Sequence, residues 1–273
     1  MSDNSYNASS YKAEVAKYTK KDGVVALCVG LCYPIFMMGI VALRDMLNLS
    51  EYLSLLYTIV TTSLMAGIIF VIVWRKKQEL VSIGIHKERI WPAIRLGLLF
   101  CLIPIIFIVI IPGIFGGFYL YYVGTIITML VSTFFFAAHE DVIFVGFIQT
   151  RLYGLFKTDK AAISIGALLF ALMHIPLWLM IGNIDVNNLL VGLGGPFLVW
   201  IIMHLVFVSI FKKYFSLVPI FILHTINNYS WNFSQTTTVF GIDFSLIMLA
   251  LYLLAACALF WHTYRQSKKA MAD

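Results

Sequence analysis

Charge is the scarcest commodity in this chain. Charged residues fill 12% of its 273 positions, against roughly 25% in soluble domains. So little charge cannot cover a water-soluble globule. The charge that exists is unbalanced, net +6, but it is scattered between long apolar runs. It therefore reads as the basic bias of membrane-protein loops and not as a nucleic-acid surface. C-x-x-C pairs are also missing. The four cysteines, Cys28, Cys32, Cys101 and Cys257, all fall inside apolar stretches. They read as small packing residues, with no disulfide framework. No H-E-x-x-H occurs, so any metal site has to be assembled from several helices. The polar segment Met1–Asp22 is too long for the n-region of a signal peptide, and no small-residue cleavage site follows the first apolar run. That run is expected to stay in the protein as a span. No internal repeat and no low-complexity linker are visible, which argues against the inverted repeats of many small transporters.

What the chain has is hydrophobicity: 61% apolar residues and a mean hydropathy of +0.92. A membrane span takes about 20 mostly apolar residues. Eight segments qualify: Gly23–Leu43, Leu55–Trp74, Leu96–Phe115, Val123–Phe147, Ala161–Met180, Leu189–Phe211, Leu217–Trp231 and Phe244–Trp261. The expected fold is an all-α polytopic bundle of about eight helices. Residues 1–22 form a basic N-terminal segment, 23–264 the membrane domain and 265–273 a tail. With both termini in the cytoplasm, every Lys and Arg except Arg44 falls on the inner side, so the positive-inside rule favours that orientation. The N-terminal segment and the Arg75–Arg95 loop are expected to lie against anionic headgroups. Prolines 34, 104, 112, 176, 196 and 219 sit within spans, where each removes a backbone donor and favours a kink.

Ionisable groups inside hydrocarbon are costly and mark function by default. The fourth span carries His139, Glu140 and Asp141 in succession. The fifth carries His174, the sixth His204, and the seventh His224, Asn227 and Asn228. At 1.5 Å per residue these groups lie between roughly 10 and 20 Å from the cytoplasmic flanks of their helices. Common depth, together with the cost of facing lipid, predicts one inward, hydrated pocket. His224 and Asn228 are i, i+4 and share a helix face. Each group alone has a plain reading, because an intramembrane His or Asn often serves only as an interhelical hydrogen-bonder. Two adjacent carboxylates are harder to explain that way.

A carboxylate in such a site suits a general base, and a histidine beside it can hold water and shuttle a proton. A His and an Asn on one face can donate to a developing oxyanion. Together these groups describe amide hydrolysis without a covalent intermediate. Glu140, His174 and His224 could instead hold zinc. A small proton-coupled transporter is a third use for midplane acids and imidazoles.

At these residues the sequence resembles the CAAX prenyl protease and bacteriocin-processing family of intramembrane peptidases, also called the Abi family. That family's first motif is E-E-x-x-x-R followed by G-F-x-Q. Here it reads Glu140-Asp141-Val142-Ile143-Phe144-Val145-Gly146-Phe147-Ile148-Gln149. The F-x-x-x-H motif matches Phe170 to His174. The H-x-x-x-N/D motif matches His224 to Asn228, after a Ser-Leu-x-Pro stretch at Ser216–Pro219. Order and spacing agree from Ala137 to Trp231. The resemblance implies an intramembrane endopeptidase acting on a peptide or protein substrate at the bilayer of a bacterial membrane. It implies that Glu140 activates water with help from His174, and that His224 and Asn228 form the oxyanion hole. It also brings in bacteriocin immunity, a role some family members hold, so an impaired enzyme acting as immunity factor or membrane scaffold is the alternative. Two departures stand out. The second carboxylate is shortened to Asp141, and Val145 occupies the arginine position. Without that i+4 ion pair, Asp141 is expected to be protonated or to pair with His139 or His204.

Overall fold

The structure is a computed structural model that describes residues 8–87, 90–110, 123–181, 189–231, 238–239 and 242–243, with positions 114, 254 and 258 singly. The described residues are almost wholly helical. Among them, five helices are long and apolar enough to cross a membrane: Lys20–Leu47, Tyr52–Arg75, Gly124–Leu155, Asp159–Pro176 and Pro196–Tyr214. The shorter apolar helix Ile90–Pro104 joins them. The chain is a multi-pass membrane protein. Of the remaining expected spans, Leu96–Phe115 overlaps Ile90–Pro104 and its continuation to Ile110, and Leu217–Trp231 is a 14-residue helix. Phe244–Trp261 and Cys257 lie outside the described residues, apart from single positions. The extended pairing among the described residues is β1 (Thr238–Val239) against β2 (Ile242–Asp243), antiparallel.

Two compact units emerge, interleaved along the chain. The first draws on residues 1–48 and 144–215. It contains α1 (Ala8–Val15), α2 (Lys20–Leu47) and the later helices α6 (Gln149–Leu155), α7 (Asp159–Ile181) and α8 (Leu189–Tyr214). A reciprocal capping box starts α2: Asp22 N–H donates to Thr19 Oγ1 and Thr19 N–H to Asp22 Oδ2. This satisfies two of the donors a helix start leaves open. Close approach between α2 and α6 rests on glycine. A Cβ at Gly154 would overlap the Thr19 carbonyl, and one at Gly23 would stand 2.7 Å from Leu155 Cβ. Small residues at such crossings are the usual route to tight packing in lipid. Helix α1 lays Tyr11 edge-on against Tyr153, Phe211 and Phe215. Burial, reinforced by the nearby Asp159 carboxylate, raises the proton affinity of the Tyr11 phenol above its ordinary value. Lys212 at the end of α8 bonds Asp159 at the start of α7, so these helices are tied at that end.

The second unit draws on residues 49–143 and 216–251. It holds α3 (Glu51–Arg75), a 3-10 turn (Leu80–Ile83), α4 (Ile90–Pro104), α5 (Val123–Glu140) and α9 (Val218–Trp231). Helix α9 packs on α4 and α5, and α3 on α5. At the α4–α9 crossing a Cβ on Gly97 would come within 2.9 Å of Ile222 and 3.1 Å of Pro219 Cα. The loop between α3 and α4 is folded inward. Ser82, Ile83 and His86 are buried, Gly84 takes φ 80°, and its carbonyl accepts from Leu217 N–H at 3.0 Å. That bond holds the first turn of α9, where Pro219 costs no hydrogen bond.

Among the described residues two π-helical stretches interrupt the α register. The one at Ile105–Ile110 follows Pro104, whose missing donor loosens the ladder. The other, Asp141–Ile148, starts at the second motif carboxylate. Eight residues is long for an element that usually spans one turn and favours functional sites. Where its wider register ends, side-chain donors gather on the carbonyls. Thr150 Oγ1 donates to Gly146 O at 2.7 Å and Phe147 O at 3.1 Å, and Arg151 Nη1 donates to Gly146 O at 3.3 Å.

Candidate active site

The carboxylate motif ends α5 and opens the π stretch. Consecutive helical residues point about 100° apart, so Glu140 and Asp141 diverge from one backbone. They meet again on one imidazole. His224, on α9, places Nδ1 3.0 Å from Asp141 Oδ1 and Nε2 3.7 Å from Glu140 Oε2. The first distance is a hydrogen bond, with Nδ1–H donating. The second is too long for one and leaves Nε2 uncommitted to that carboxylate. Exposure separates the two acids. Asp141 is 0% exposed and His224 1%, while the Glu140 side chain is 13% exposed. Glu140 is thus the more accessible of the two acids. Among the described residues nothing hydrogen-bonds its carboxylate.

Asp141 therefore does not pair with His139 or His204, as its sequence neighbourhood suggests. Its partner is His224. His139 is i−2 from Asp141, which puts it on the far side of the helix. It is buried, with Nδ1 3.1 Å from the Phe135 carbonyl one turn back. His204 Nε2 meets Gln149 Oε1 at 3.1 Å. On α9, His224 and Asn228 keep the shared face that their spacing predicts. Asn227 Nδ2 donates to Asn228 Oδ1 at 3.2 Å, so the Asn228 amide is turned with its oxygen occupied.

His174 and His204 belong to the other compact unit, with the residues that orient them. The Phe170 carbonyl lies 2.8 Å from His174 Nδ1, four residues on. With Nδ1–H donating there, Nε2 carries the lone pair, the state a proton acceptor needs. Trp200 of α8 stacks on the His174 ring at 4.4 Å and 13°, and Phe170 meets it edge-on at 5.0 Å. His204 sits one turn beyond Trp200, and its ring lies 5.1 Å from Phe170.

Among the described residues no three His, Cys, Asp or Glu side chains gather in metal-holding geometry. Among the described residues the cysteines take no part in either unit's polar cluster. Cys28 and Cys32 lie on the exposed face of α2, so they are not the packing residues the sequence suggests. Cys101 is buried, and its thiol reaches the Ile222 carbonyl at 3.6 Å.

Three residues gain importance that sequence reasoning did not give them. Gln149, part of the G-F-x-Q stretch, is 0% exposed and holds His204. Trp200 looked like bulk apolar content; its clue was a position one turn from an intramembrane histidine. Arg151 marked the inner end of a span. It is buried, bonded to Gly146 O and Thr150 Oγ1, and flanked by the rings of Tyr18 at 4.5 Å and Phe147 at 4.6 Å. Val145, at the motif's arginine position, is fully buried.

Comparison with known proteins gives the same family as the motifs. Residues 122–230 match the family model described as type II CAAX prenyl endopeptidase Rce1-like. No curated protein and no solved structure gives a match. The matched segment runs from α5 through α9 and contains the acid pair, His174, His204, His224 and Asn228. Over that segment, less than half of its length, the chain is similar to the type II CAAX prenyl endopeptidase Rce1-like family.

Proposed function

We propose that this protein is an intramembrane endopeptidase that cleaves a peptide bond near the membrane surface by direct attack of water. The observation that carries this reading is the Asp141–His224–Glu140 cluster: one buried acid fixing an imidazole, and a second, reachable acid beside its other nitrogen. Glu140 takes a proton from water as the water oxygen bonds to the scissile carbonyl carbon. His224 Nε2–H and the Asn228 amide donate to the oxyanion that results. The part of proton carrier goes to His174 by its place in the F-x-x-x-H motif: its Nε2 takes up the proton released from water and passes it to the amide nitrogen as the C–N bond breaks. A carboxylic acid and an amine leave, and Glu140 and His174 return to their starting states.

On this reading Asp141 replaces the motif arginine as the source of order. An arginine would anchor the second carboxylate. Here that carboxylate is anchored by His224, and by accepting from Nδ1–H it favours the doubly protonated ring, whose Nε2–H can then donate. The roles need no metal. Both termini lie in the cytoplasm, supported by the distribution of basic residues. Burial of Arg151 removes one residue from that count without changing its direction.

The test is turnover of an internally quenched peptide with a prenylated C-terminal cysteine, using the purified chain in nanodiscs. Wild type cleaves it. His174→Ala and Asn228→Ala lower kcat by about 100-fold or more with little change in KM, as loss of a proton carrier or oxyanion donor does. Full activity in both variants removes these roles. An immunity or scaffolding phenotype that survives both, with no cleavage by wild type, would favour the non-catalytic reading.

A further inference from the structure

His174 needs more than a tied Nδ1 to act as a proton carrier. The helix fixes its Cα, and the Phe170 carbonyl fixes one nitrogen. Rotation about that bond still swings Nε2. Trp200 stops the swing. Its indole lies 4.4 Å from the imidazole centroid at 13° to its plane, so the two rings are face to face. Phe170 closes the edge at 5.0 Å.

The stack also has an electrostatic consequence. When Nε2 accepts a proton, the imidazole becomes a cation lying over an indole face. Tryptophan is the strongest of the aromatic faces for a cation. Its quadrupole therefore stabilises the protonated ring more than the neutral one. An interaction that strengthens as charge develops accelerates a reaction, whereas one of constant strength does not.

The helix that carries Trp200 is itself fixed at His204. His204, one turn along α8, is wholly buried and bonded to Gln149, and its ring lies at 33° to Phe170. A Cβ at Gly166 of α7 would overlap Gln149 Oε1 and stand 3.0 Å from His204 Nε2. Helices α6, α7 and α8 thus lock at Gln149, Gly166 and His204, and α8 presents Trp200 from that lock.

We propose that Trp200 is a positioning residue for His174: its indole face holds the imidazole in orientation and supports the positive charge the ring carries between accepting and releasing the proton of hydrolysis. This rests on the peptidase reading above. Trp200 acts through His174, whose Nε2 takes up the proton released from water and hands it to the leaving nitrogen.

The experiment keeps the ring's shape and changes only its face. Site-specific incorporation of mono-, di-, tri- and tetrafluorotryptophan at position 200 weakens the quadrupole stepwise. Expected is a stepwise fall in log kcat on the prenylated peptide, with KM constant. Trp200→Phe falls between wild type and Trp200→Leu, and Trp200→Leu loses about two- to thirty-fold in kcat, the span of a cation–π contact. The same fluorinated series at Trp74, exposed at the end of α3, leaves kcat unchanged. A flat fluorination series at position 200, with His174→Ala still inactive, overturns the role of Trp200 and leaves the peptidase reading standing. Full activity of His174→Ala overturns the reading itself.

Discussion

Replacing Asp141 by asparagine keeps the volume of a wholly buried side chain and removes one charge. In the native cluster Asp141 Oδ1 accepts from His224 Nδ1 at 3.0 Å. Asparagine Oδ1 can accept the same bond, but without charge. A hydrogen bond to a charged group contributes about 1.5–3 kcal/mol and a neutral one about 0.5–1.5. The difference is about 1–1.5 kcal/mol, near ten-fold in rate if it is felt only as the oxyanion forms. A flipped amide does more harm. Its NH2 would face Nδ1, push the proton to Nε2 only in the neutral ring, and forbid the doubly protonated form. The expected fall in kcat is therefore about 10- to 100-fold, with KM within about two-fold. Initial rates on the quenched prenylated peptide measure it, and circular dichroism checks that helicity is kept. Asp141→Glu retains the charge in a site that must accept one more methylene, so it should keep more activity than Asp141→Asn. If Asp141→Asn keeps wild-type kcat while its melting temperature falls, Asp141 is structural and the cluster is misread.

Gly166→Ala drives a methyl into Gln149 and His204 and should destabilise the protein by about 1–3 kcal/mol, the usual cost of overpacking, read as a lower melting temperature in detergent. Gly84→Ala forces a side chain onto φ 80° and should cost about 1 kcal/mol or more; because Gly84 holds Leu217, exchange of the Leu217 amide with deuterium should quicken. Dialysis against a strong chelator should leave turnover unchanged. Loss of activity restored by zinc would instead make Glu140, His174 and His224 ligands.

The span positions were legible because hydropathy is a local property. Lys20–Leu47, Glu51–Arg75 and Leu189–Tyr214 each contain the apolar run that announced them. The His224–Asn228 face was legible because helical spacing fixes it. The link between Glu140, Asp141 and His224 was legible only as a shared depth. Its detail was not, because His139 and Asp141 are neighbours in sequence and point apart on the helix. The π register at Asp141–Ile148 could not be read either. It is stabilised by Thr150 and Arg151 donating to carbonyls, and a basic residue near the end of an apolar run looks the same whether it is buried or wet. Trp200 was hidden for a related reason: within a span, an aromatic that orients a histidine has the composition of one that faces lipid.

The central claim is that Glu140 activates the attacking water. Glu140→Gln preserves shape and hydrogen-bonding capacity but removes the base. Measured as single-turnover cleavage of the prenylated peptide by the purified chain in nanodiscs, it should cleave at least about 1000-fold more slowly than wild type while binding the peptide equally well. Cleavage at the wild-type rate would contradict the account.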